Sequence, residues 1–179
     1  MERTFKKQQR TVGSVVKIPL ENGFHGYGRI LENDIAFYDF RTTEELNPQE
    51  IIQKPILFIL CVNDQAITKG YWQKIGKSIP LENHLLSQNL PPVVWVDRFK
   101  SGVYRLVHRN VNYTEKDFGE LVSRQACVGY ECFAVWAAEN TEKRLNDYFA
   151  QRPNFYEQAK QNPDLYFETQ RNNFTSLLK

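Results

Sequence analysis

Histidine and cysteine are scarce in this chain, three of each among 179 residues, and the scarcity removes whole classes of chemistry. His25, His84 and His108 do not stand at metal-ligand spacing with one another or with a cysteine, which argues against a zinc site. Cys61, Cys127 and Cys132 form no Cys-x-x-Cys, and an odd number in a chain of this length makes no disulfide framework, so a reducing, cytoplasmic setting is expected. Cys61 sits inside an apolar run where burial raises a thiol pKa and blocks access. Cys127 and Cys132, five apart in a segment that reads as helical, do not make a redox pair. Glycine-rich phosphate loops and the Gly-x-Ser-x-Gly elbow are missing as well. Asp39 and Asp64 both end apolar runs, but a carboxylate pair without a second reactive group has little catalytic specificity. We therefore expect no catalytic set, no metal and no cofactor.

Long apolar runs are also lacking. The longest, Ile56 to Val62, is too short to cross a bilayer, and the basic amino terminus has no apolar signal-peptide core, so no membrane association is expected. Charge of one sign is absent too. The 23 basic and 21 acidic groups leave a formal charge of +2, spread evenly over both halves, which argues against a nucleic-acid partner. Local basic excesses at Arg3, Lys6, Lys7, Arg10 and at Arg98, Lys100, Arg105, Arg109 read as solvated surface.

What the chain does contain is aromatic residues, at 13%, and turn-punctuated apolar runs. Residues 1–11 read as a loosely held polar arm. From Val12 to Phe40 the chain reads as three strands: Asn22-Gly23 supplies the positive φ of a tight hairpin turn, and Asn33-Asp34 is expected to do the same. In the second strand Phe24, Gly26, Gly28 and Ile30 share one face and His25, Tyr27, Arg29 and Leu31 the other. The two glycines leave a bare strip that permits a bend or a close approach. Thr42 to Lys54 reads as a loop or single helical turn. Ile56 to Val62 reads as a strand buried on both faces, the expected sheet centre. Tyr71 to Ile75, Val93 to Val96 and Val103 to Val107 bring the expectation to about seven strands.

After residue 113 the apolar period becomes helical. Thr114-Glu115-Lys116-Asp117 resembles a helix start, and Phe133, Trp136, Ala137, Leu145, Tyr148 and Phe149 recur at helical spacing. Glu139 and Lys143 form a favourable i,i+4 pair. Arg152-Pro153 and Asn162-Pro163 should act as breaks. The expected fold is α+β: an antiparallel curved sheet or small SH3-like barrel over residues 1–113, then a helical segment over 114–179, in one compact domain.

The remaining polar candidates are recognition groups. Tyr27 and Arg29 share a face of the second strand, and Tyr38 and Asp39 follow in the third. An exposed Arg29 would fork onto a carboxylate or phosphate, whereas a buried one should pair with Asp39. Trp72 and Trp95 alternate with polar neighbours and are core anchors or contacts.

Val12-Gly13-Ser14-Val15, Ile18-Pro19-Leu20, Gly26-Tyr27-Gly28-Arg29-Ile30, Ala36-Phe37-Tyr38-Asp39, Lys54-Pro55-Ile56-Leu57-Phe58, Trp72, Ile75-Gly76 and Pro80-Leu81 occur in the order that resembles the immunity protein 26 family of bacterial polymorphic-toxin systems. The resemblance covers roughly Val12 to Leu81. It implies a β-rich cytoplasmic protein that binds and neutralises a cognate protein toxin, with Tyr27, Arg29, Tyr38, Asp39 and Trp72 as partner-binding candidates. The near-neutral charge speaks against a basic nuclease as the target. An alternative is an RNA- or small-ligand-binding small barrel of the PemK-type endoribonuclease architecture, with His25 or Asp39 as base. An oligomeric scaffold is the third reading.

Overall fold

The computed structural model describes residues 6–97, 100–109, 118–166 and 168. Among these are nine strands: β1 (Val15–Pro19), β2 (His25–Ile30), β3 (Ile35–Tyr38), β4 (Ile56–Val62), β5 (Gln73–Ile75), β6 (Val93–Val96), β7 (Tyr104–Val107), β8 (Glu120–Val122) and β9 (Val135–Trp136). The α-helices are α1 (Pro48–Ile51), α2 (Gln65–Thr68), α3 (Ala138–Phe149) and α4 (Phe155–Gln161). The chain divides into two units, residues 1–86 with 134–153, and residues 87–133 with 154–179. The class is α+β as expected. The larger sheet is curved and open, which corrects the small-barrel option.

In the first unit the strand order is β5-β1-β2-β3-β4-β9. Every pairing is antiparallel except the short parallel contact of β4 with β9. Asn22 and Gly23 do adopt positive φ, 57° and 76°, and the Leu20 amide donates to the Phe24 carbonyl at 2.9 Å to close the loop. The second turn differs from expectation. The Leu31 amide donates to the Asp34 carbonyl, placing Glu32 and Asn33 at the tip, and Asn33 and Asp34 keep negative φ. Asp34 is held in place because Arg10 also donates to its carbonyl, at 3.1 Å. Strand β4 is second from an edge rather than central. Phe58, Leu60 and Val62 are buried on one face of the strand, while Leu57, Ile59 and Cys61 on the other are half-buried.

Both faces of this sheet are covered within the unit. On one, Tyr27, Val15 and Tyr38 pack with Ile51 of α1 and with Leu46, Ile52, Phe40 and Ile56. On the other, the bare strip predicted at the glycines is filled. A Cβ on Gly28 would lie 2.7 Å from the Ile35 Cγ2 and 3.3 Å from the Val16 Cγ2, and Gly26 faces Leu20 and Leu145 of α3. The same helix sets the Arg144 guanidinium 4.2 Å from the Phe58 ring centroid and 5.2 Å from that of Trp136, a buried cation–π stack. The expected Glu139–Lys143 pair gives way to Lys143–Asp147 at 2.6 Å, and Asp147 also meets Arg152 at 3.0 Å. Residues 8–11 are not a loose arm: Gln8 and Arg10 are anchored to α2, the β2–β3 turn and the start of β5.

In the second unit β6, β7 and β8 form an antiparallel sheet. Val94, Val96 and Tyr104 pack with Cys127, Cys132, Ala159 of α4 and Tyr166. The helix expected from residue 114 is not continuous: Cys127 lies in a short 3₁₀ turn, Cys132 in an isolated bridge to Val94, and Trp136 in β9. Of the periodic residues, Leu145, Tyr148 and Phe149 do lie in a helix, whereas Phe133, Trp136 and Ala137 precede it, because α3 begins only at Ala138. The helix start read at Thr114–Asp117 and the tail aromatics at Phe167 and Phe174 lie outside the described residues. Helix α3 ends ahead of Arg152-Pro153 and α4 ahead of Asn162-Pro163, as the breakers require. The Tyr104 hydroxyl donates to Asp164, whose other oxygen accepts from Arg124 Nε at 2.6 Å, while Arg124 also donates to Asn162.

Two predictions follow from these packings. Gly28→Ala should destabilise the protein by about 1–3 kcal/mol through overpacking, read as a lower urea midpoint, with Gly23→Ala distinguishable because its cost comes from backbone strain alone. Asp164 is held below the ordinary carboxylate value by the Tyr104 hydroxyl and then by Arg124, and burial together with that carboxylate pushes Tyr104 up to about 12. A depressed acid stabilises the fold fully above its unfolded pKa of about 4 and loses that contribution as pH falls through the folded value. The urea midpoint of the wild type should therefore fall more steeply below about pH 4 than that of Asp164→Asn; equal slopes would contradict the assignment.

Candidate functional site

The five recognition candidates separate into four buried side chains and one exposed. Arg29 and Trp72 are 0% exposed, Tyr27 1% and Tyr38 2%, whereas Asp39 is exposed at the end of β3. The β2–β3 register sets Arg29 opposite Ala36 and, on the other side, opposite Val15 of β1. Arg29 does not form the ion pair with Asp39 expected of a buried guanidinium. Its Nη2 donates instead to the carbonyls of Ile79 at 2.8 Å and Pro80 at 3.0 Å. Pro80 extends the backbone at Ile79, so two successive carbonyls come within reach of one nitrogen. Tyr38 has its pKa raised by burial, with the Arg29 guanidinium beside it pulling the other way.

Tyr27 stacks on Phe40 with centroids 5.3 Å apart and planes inclined at 13°, and its hydroxyl donates to the Glu44 carbonyl at 3.2 Å. Burial and then Glu45 raise its pKa. Trp72 meets the edge of Phe37 at 5.8 Å, and its Nε1 donates to the Glu142 carboxylate at 2.7 Å, tying β5 to α3. Tyr27 thus organises the loop following β3. That loop is polar at its surface. Asp39, Glu44, Glu45 and Glu50 are exposed, Lys17 holds Glu45 at 2.9 Å, and Arg41 caps the Phe24 ring at 4.4 Å. His25 begins β2 nearby, its pKa lowered by burial and then by Lys17.

Of the two carboxylates that end apolar runs, Asp64 pairs with Arg10 at 3.0 Å, whereas Asp39 is exposed and is fixed through its backbone, its amide donating to the Pro55 carbonyl at 2.8 Å. Among the described residues no three His, Cys, Asp or Glu side chains gather as metal ligands, and no helix is long and apolar enough to cross a membrane. The three cysteines carry free thiols, and burial pushes the Cys127 thiol up. One surface feature was not legible as a unit in the sequence: a groove of about 440 Å³ lined by Lys6, Lys7, Gln8, Gly70, Gln73 and Lys74. Lys6 and Lys7 were visible as a basic doublet, but only the chain's approach to Gly70 brings Lys74 beside them.

Residues 11–90 match the family model described as Immunity protein 26, which bears out the resemblance found between Val12 and Leu81. The matched stretch spans β1 to β5 and stops short of β6. No curated protein and no solved structure matches the chain.

The burial pattern separates two variants by what they change. Arg29→Ala should destabilise by about 2–4 kcal/mol, since it opens a cavity and leaves two carbonyls without their donor, whereas Asp39→Ala should stay within about 0.5 kcal/mol of wild type. Chemical unfolding of both proteins checks this, and a stable Arg29→Ala would contradict the structural role.

Proposed function

We propose that this chain, whose residues 11–90 carry the immunity protein 26 pattern, is an immunity protein that binds a cognate toxin polypeptide and blocks it sterically. The observation that carries the reading is the coincidence of the matched stretch with five of the six strands of the open sheet, a surface-bearing scaffold with both faces closed by its own chain. Buried Tyr27, Arg29, Tyr38 and Trp72 hold that scaffold rigid, and exposed Asp39 with the loop following it stands at the rim where a partner can be met. A rigid surface lowers the ordering cost of association, which favours a long-lived complex. Inhibition of this kind asks nothing of the chain but surface complementarity, so it needs no cofactor, and it acts in the cytoplasm where the toxin would otherwise do damage.

The test is co-expression with the protein encoded immediately upstream of this gene, as the candidate toxin. The wild-type chain should restore growth and co-elute with the toxin at fixed stoichiometry, and Asp39→Ala should retain stability while weakening the complex. Survival without any physical complex, or no survival at all, contradicts the reading.

A further inference from the structure

We propose that the groove lined by Lys6, Lys7, Gln8, Gly70, Gln73 and Lys74 is a docking subsite for an acidic segment of the protein partner, an inference that rests on the toxin-binding reading above. The groove carries three lysines and no acid. Among the described residues no carboxylate pairs with Lys6 or Lys7, both exposed, whereas nearby Arg10 is already matched by Asp64. Lys74 Nζ donates to the Gln9 carbonyl at 3.1 Å and the Thr11 hydroxyl at 2.9 Å, two neutral acceptors that orient the ammonium without cancelling its charge. Lys69, exposed, adds a fourth cation next to Gly70 in the chain.

The subsite is built rather than incidental. Gln8 clasps the exposed side of β5: its Nε2 donates to the carbonyls of Ile67 at 3.2 Å and Trp72 at 2.9 Å, and its Oε1 accepts from the Lys74 amide at 2.7 Å. Lys6 and Lys7 are therefore held within two residues of a fixed anchor. Gly70 has φ +81°, and a Cβ there would lie 2.5 Å from the Lys6 carbonyl oxygen, so the groove floor exists because this position has no side chain. The clasp also occupies the edge donors and acceptors at Trp72 and Lys74 that an added strand would use, leaving charge as the means of recognition.

A polypeptide suits this groove better than a nucleic acid. No aromatic ring lines it for a base to stack on, and the chain lacks the extended basic stripe that tracks a phosphate backbone. A few carboxylates on a partner surface match three or four ammonium groups, accelerate encounter and fix orientation.

The experiment compares wild type with the double reversal Lys6→Glu/Lys7→Glu, using the candidate toxin encoded immediately upstream of the gene and a 20-nucleotide single-stranded RNA as probes at low and high salt. We expect toxin affinity to fall by about tenfold or more at low ionic strength, mostly through the association rate, the gap to narrow at high salt, and the unfolding midpoint to stay unchanged. Equal affinity of both proteins for the toxin overturns the subsite while leaving the immunity reading intact. Failure of the wild type to bind the toxin overturns both. Loss of RNA binding in the variant with toxin affinity unaltered overturns the subsite in favour of a nucleic-acid partner.

Discussion

The first unit depends on how one buried guanidinium is anchored. Arg29 lies inside a face of the sheet lined by Tyr27, Tyr38 and Val15, where an unmatched charge costs several kcal/mol. Its Nη2 offsets part of that cost by donating to the backbone carbonyls of Ile79 and Pro80, fifty residues away, while Nε and Nη1 are buried without a hydrogen-bond partner. The same stretch is held from the other side: the Ile79 amide donates to the Gly13 carbonyl at 3.0 Å, Ser78 donates to Val12, and a Cβ on Gly13 would fall 2.2 Å from the Ile79 oxygen. Residues at the start of the immunity-like stretch thus grip residues near its end. Those contacts lock residues 78–80 against β2 and the segment ahead of β1.

With that lock in place the other interactions find their purpose. Helix α3 returns from far along the chain to cover the second face, and it is tied on through Trp72–Glu142, the Arg144 stack and the Asn146 side chain accepting from the Glu21 amide at 2.9 Å. Each contact fastens a different part of the sheet, namely β5, β4 and the β1–β2 loop. Tyr27, Phe37, Tyr38, Phe58, Trp72 and Trp136 are buried in these layers. At the surface stand charged groups, an acidic rim after β3 and a lysine groove beside β5. Segregating the two signs gives a near-neutral chain strong local fields.

Much of this was legible in the sequence where the signal is local. Asn22-Gly23 marks its turn because only residues tolerant of positive φ can make it, and the strands from Val15 to Tyr38 follow from period-two patterning. The pieces resembling the immunity family proved to lie along β1 to β5. What escaped was non-local. Nothing near Arg29 announces that its partners are carbonyls at residues 79 and 80, so burial against Asp39 seemed the natural alternative. Strands β8 and β9 are three and two residues long and carry no periodicity of their own. A continuous apolar run at β4 indicates β structure but not its place in the order, which is set by pairing partners. The arm carrying Gln8 looked loose because a single amide side chain making three bonds has no sequence signature.

The most direct measurement is hydrogen exchange of the chain alone and with the protein encoded immediately upstream of its gene. The account predicts new protection at surface backbone, at residues 39–45 and around 69–74, with exchange in β2 and β3 already slow and unchanged. Absence of any newly protected segment, or protection that appears only with unfolding of the β2–β3 core, would contradict it.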